Sequence, residues 1–132
     1  MLTKLGYPQA NTYFAAMSFS LFLVAHWAGD FVFQTTSMAL GKSKSIKWLT
    51  IHVLTYTAIL LIFSVFTLPN DVILLYVLAN GILHWITDFF TSKLAAKYFD
   101  RARIFYPILG FDQLVHVMTL YITFEHQEWF IM

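Results

Sequence analysis

A chain of 132 residues that is 59% hydrophobic, 11% charged and +0.67 in mean hydropathy is too apolar for an ordinary soluble domain, in which roughly 25% of residues are charged. Its formal net charge of +1 excludes a strongly basic nucleic-acid binder, and the absence of cysteine excludes disulfides and thiolate metal sites. Any metal must therefore take nitrogen and oxygen ligands, which favours zinc, iron, manganese or magnesium over copper(I).

Met1 to Asn11 reads as a short polar lead carrying Lys4, with Pro8 suited to a turn and Asn11 or Thr12 to a helix cap. A first apolar span covers 12–38, long enough to cross a bilayer. It is too long for a cleaved signal peptide, contains His26 and Asp30, and has no small-residue cleavage site after it. Gly41 to Ser45 supplies a C-cap glycine, a polar loop and a new N-cap. The second span, 48–68, has His52 as its single potentially charged residue, and Leu68-Pro69-Asn70-Asp71 ends it. The third, 72–92, continues as an interfacial helix toward Phe99, and Asp100 to Arg103 forms a charged turn. Pro107 fits the first turn of the fourth span, 106–124, and Trp129 in the tail suits the headgroup region.

The pattern predicts an all-α, integral membrane antiparallel four-helix bundle, with residues 1–132 forming a single transmembrane domain. Lys42, Lys44 and Lys47 follow the first span, and Lys93, Lys97, Arg101 and Arg103 follow the third, whereas the opposite side carries only Lys4 among basic residues. The positive-inside rule places both basic loops in the cytoplasm and both termini outside, in the inner (plasma) membrane.

The chemistry lies in one spacing. His26 and Asp30, then His84 and Asp88, then in reverse order Asp112 and His116, are each four residues apart. Residues at i and i+4 share a helix face, so each pair presents an imidazole and a carboxylate in one direction. The order reverses where the helix direction reverses, which puts all three aspartates toward the cytoplasm and the histidines one turn deeper. Asn80, Gln34, Gln113, Thr55 and Tyr56 continue these stripes as groups suited to orienting the imidazoles.

A buried polar network that fixes helix register would also use such residues. Intramembrane ionisable groups are costly, however, and the spans offer no lysine or arginine at this depth, so three carboxylates require a metal ion or protons. The candidate metal ligands are His26, Asp30, His52, His84, Asp88, Asp112 and His116. His52 joins them on depth alone, since a lone histidine on an apolar helix is more often a hydrogen-bonded core residue. His126, beside Glu125 and Glu128, is expected to face solvent, and the 19% aromatic content to serve lipid contact and packing.

The segment Ala25 to Thr35, the Gly41 to Lys44 loop, His84 with Asp88, and Asp112-Gln113-Leu114-Val115-His116 together resemble a domain-of-unknown-function family of small four-helix bacterial and phage membrane proteins. The resemblance covers nearly the whole chain and implies no established activity. More loosely, the chain is similar to prophage membrane-bound metal-dependent hydrolases. It is similar at motif level to cation diffusion facilitators, which bind a transported zinc with paired His and Asp residues. Their cytoplasmic domain and six-helix plan are absent here, and the third pair exceeds a four-ligand transport site.

The expected function is a metal-dependent hydrolase acting on a lipid, lipid-linked or membrane-embedded substrate. Zinc is the favoured ion, with manganese, iron or magnesium as others, one or two in number. Asp30, Asp88 and Asp112 are the candidate catalytic carboxylates, one of them left over as general base. The competing readings are a divalent-metal or proton-coupled transporter using the same cluster, and a small interaction subunit with a structural metal. Membrane lipid is the expected partner, a homo-oligomer is compatible with every reading, and nucleic acid is not expected.

Overall fold

The structure, a computed structural model, describes residues 10–132. The turn expected at Pro8 lies outside them, as do the side chains of Asn11 and Thr12. Among the described residues every regular element is helical: α1 (Ala10–Trp27), a π-helical segment (Ala28–Val32), α2 (Thr36–Gly41), α3 (Ile46–Thr67), α4 (Asn70–Lys97), α5 (Ala102–Glu125) and a closing 3-10 turn (Gln127–Phe130). α1 packs on α3 and α5, and α4 packs on the same two, so the contacts close a ring and make a helical bundle.

The helix ends follow from local chemistry. Leu68 leaves the helical region (φ −114°, ψ 153°) because Pro69 crowds a helical predecessor. Ser45 is extended before α3, yet its side chain makes no capping hydrogen bond. The capping side chain lies earlier, where Thr35 accepts from the Met38 amide at 3.3 Å and starts α2.

Three differences from the sequence expectations matter. First, the helix expected through residue 38 stops at Val32, after the Phe33 amide donates to the Ala28 carbonyl at 2.8 Å, a five-residue step. Second, α4 runs unbroken to Lys97, about 42 Å at 1.5 Å per residue, so the interfacial stretch is its own end. Third, α5 begins at Ala102 and places Pro107 inside the helix, where it deprives the Arg103 carbonyl of a partner.

Tyr13–Val32, Ile46–Thr67 and Asn70–Lys97 are long and apolar enough to cross a membrane. α5 is not among these, because Asp112, Gln113 and His116 lower its hydropathy. The exterior is more apolar than that of a water-soluble protein. Leu54, Ile62, Val65, Phe66, Ile82 and Phe90 face outward, while all seven candidate ligands are at most 6% exposed. An exterior of this kind suits a hydrocarbon solvent, with polar side chains kept inside to satisfy one another.

Candidate metal centre

Two close approaches set the site. A Cβ on Gly29 would lie 3.1 Å from the Tyr56 Cα, so glycine lets the π segment sit directly on the α3 backbone beside His52. A Cβ on Gly81 would meet Thr57 Oγ1 at 2.7 Å, which draws α4 onto the same helix. Asp30, carried by the π segment, thus reaches His52 and His84 as well as its own partner His26.

Four donor atoms converge. His52 Nε2 lies 3.0 Å from Asp30 Oδ1 and 3.2 Å from Asp88 Oδ2. His84 Nε2 lies 3.4 and 3.6 Å from the same two oxygens and 3.3 Å from His52 Nε2. A tetrahedral ion with ligands at about 2.0–2.1 Å needs donor separations of about 3.3–3.4 Å. The observed spacings of 3.0–3.6 Å bracket that value. Asp30 Oδ1 is buried and has no hydrogen-bond partner despite these neighbours, so its lone pairs remain for a cation. Asp30, Asp112 and His116 form a second, adjoining group able to hold an ion, with Asp30 common to both. His116 Nε2 contacts Asp88 Oδ1 at 3.1 Å and Asp112 Oδ1 at 3.3 Å.

His26 belongs to neither group. Its Nε2 is 3.8 Å from Asp30 Oδ2 and pairs with Gln113 Oε1 at 2.9 Å. The Gln113 amide donates to Asp30 Oδ2 at 2.8 Å and to Asp112 Oδ2 at 3.0 Å, which links three of the candidates through one side chain. Thr91 donates to Asp112 Oδ1. His84 is sandwiched between Tyr56 and His116, with ring centroids 3.9 Å away on each side.

The charge count differs from the sequence reading. Lys42, expected in a cytoplasmic loop, folds back through the break after Val32 and donates to Asp88 Oδ2 at 3.0 Å, with its side chain 15% exposed. Burial works against its charge, but the Asp88, Asp30 and Asp112 carboxylates outweigh that and hold its pKa above the ordinary lysine value. Three carboxylates against one ammonium leave two negative charges, which a divalent ion or protonated histidines would offset.

Some expected helpers do other work. Asn80 bonds the Tyr76 carbonyl and Thr123, and Thr55 bonds the Ile51 carbonyl, so neither orients a ligand. Tyr56 contributes its ring face. Thr91 was legible, since 84, 88 and 91 continue one helical stripe; Lys42 had no local signal.

The layer away from the lysine-bearing loops is tightly buried. One turn beyond the ligands in each helix stand Phe22, Tyr56, Asn80 and Leu120, each at most 2% exposed. On the loop side, a cavity of about 440 Å³ reaches Asp30, Asp112 and Gln113.

An apolar helical bundle around a buried His/Asp cluster that could hold a metal ion is the class of protein these features define. The chain belongs to the family described as "Protein of unknown function (DUF3307)", whose family model matches residues 18–131. No curated protein and no solved structure matches it.

Proposed function

We propose that this protein is an integral membrane metal-dependent hydrolase. α1, α3, α4 and α5 form an antiparallel four-helix bundle in the inner membrane, with the basic loops cytoplasmic and both termini outside. α5 falls short of the other helices in hydropathy only because it carries site residues, and its flanks pack on α1 and α4. The observation that carries the reading is the set of donor separations among Asp30, His52, His84 and Asp88, which suits a tetrahedral zinc-sized ion.

Asp30, His52, His84 and Asp88 would hold the ion, and an ion there supplies Lewis acidity and a more acidic water. Gln113 and Lys42 fix the two carboxylates. Asp112 borders the cavity, accepts from Thr91 and Gln113, and is the residue suited to take a proton from an attacking water. His116 connects Asp112 to Asp88 and can pass that proton onward. His26 holds Gln113 in place.

The cavity gives water and substrate a route to the cluster from the loop side, as a hydrolase requires. Four protein donors alone would make a closed, structural site, so hydrolysis needs a water to enter from the cavity, which reaches the cluster at Asp30 and Asp112. The test is elemental analysis of purified wild type beside the Asp30→Asn, Asp88→Asn double variant. The proposal expects close to one zinc-type ion per wild-type chain and background in the variant. Background levels in both would leave only a proton-sharing polar network.

A further inference from the structure

We infer that the cavity over the cluster binds an amphiphile with an anionic phosphate head and a single hydrocarbon chain, the head against Lys42 and Lys44 and the chain along the apolar wall. This rests on the metal-hydrolase reading and names its substrate class. The two ends of the cavity differ in chemistry. Asp30, Asp112 and Gln113 line its inner end together with Lys42. Leu40, Ala95, Phe99, Phe105 and Leu109 line the rest, and Leu40 and Phe99 are 63% and 71% exposed at its margin. A volume of about 440 Å³ lies within the usual range for small-molecule sites.

Two buried polar atoms on this wall have no partner: Gln34 Oε1 and Ser92 Oγ. Buried polar groups without partners are uncommon and costly, so both side chains are free to turn toward a ligand in the cavity they line. The Ser92 hydroxyl is a donor for a phosphate oxygen, and the Gln34 amide offers either an acceptor or, turned over, two donors. With Lys42 and Lys44 this gives an anion four donor side chains at one end of an apolar slot. An uncharged lipid would leave Lys44 without a partner in the cavity, and a free phosphate would leave the apolar wall uncovered.

The test compares three probes on zinc-loaded protein in neutral maltoside detergent by calorimetry: dodecyl phosphate, inorganic phosphate and dodecanol. Dodecyl phosphate should bind at least about 10-fold more tightly than either of the others. Ala95→Trp, which fills the slot, and Lys44→Glu, which reverses a head charge, should each weaken it by about 10-fold while zinc content stays at the wild-type level. Inorganic phosphate binding as tightly as dodecyl phosphate would overturn the chain site, and dodecanol doing so would overturn the head site. Unaltered dodecyl phosphate affinity in both variants would overturn the location. Zinc content is read separately, so a chain that takes up zinc but not the lipid phosphate sinks this inference alone, whereas one that takes up no zinc sinks the reading beneath it.

Discussion

Gln113 and Lys42 are the side chains on which the carboxylates of the cluster lean. Replacing Gln113 by Leu removes the donor shared by Asp30 and Asp112 and the partner of His26. Losses of such supporting groups typically cost 10–100-fold in metal affinity, and a zinc titration of Gln113→Leu should fall in that range. Lys42→Met should act in two directions. Without metal, losing the ammonium leaves Asp88 with its histidine partners alone and lowers stability by about 2–4 kcal/mol, read from thermal unfolding of chelated protein. With metal, the cluster gains one negative charge and zinc affinity should rise. The sign with pH is also set, because Lys42 titrates higher in the folded chain than unfolded. Its contribution is complete below the ordinary lysine pKa and fades as pH rises through the folded value, so metal-free wild type should lose stability there while Lys42→Met does not. The three His/Asp pairs were legible because an i, i+4 spacing is a property of the helix itself. Lys42 was not, since its position depends on a chain reversal that no local pattern announces.

The π segment is the element that assembles the site. It turns Asp30 away from the path a regular α-helix would give it and ends the helix early enough for α2 to fold back. Gly29 permits this by close approach, and the nearest atom to an added Cβ is backbone, which cannot yield cheaply. Gly29→Ala should therefore destabilise by about 1–3 kcal/mol and lower zinc content, as measured by thermal midpoint and elemental analysis. Gly110→Ala on α5 is the control, because nothing lies within 4 Å of its added Cβ. It should be stabilising by up to about 1 kcal/mol through helix propensity alone. The helices themselves were legible as long apolar runs bounded by Leu68-Pro69 and the basic loops. The π step was hidden because an apolar run reveals how buried a segment is, not whether its amides bond four or five residues back. The early start of α5 was hidden for a related reason: Pro107 is also tolerated in the second turn when the chain before it is already helical.

At the scale of the whole molecule, the His/Asp cluster is buried beside an apolar core and large apolar side chains also face outward, an arrangement that composition and spacing foretold through the low charge content and the repeated histidine and aspartate spacing. If one divalent ion answers the excess charge, stripping it with a chelator should lower the thermal midpoint, and readdition at 100 times the dissociation constant should restore about 2.7 kcal/mol. The same core also contains Asn80 joined to Thr123 and Tyr76 hydrogen-bonded to the Leu120 carbonyl, which pin α4 to α5 beneath the cluster. The loop-side cavity, opposite the tightly buried tier of Phe22, Tyr56, Asn80 and Leu120, carries a consequence for physiology. A centre reached through the loop-side cavity should exchange metal with the compartment that the lysine-bearing loops face, so its occupancy should follow the metal supply on that side.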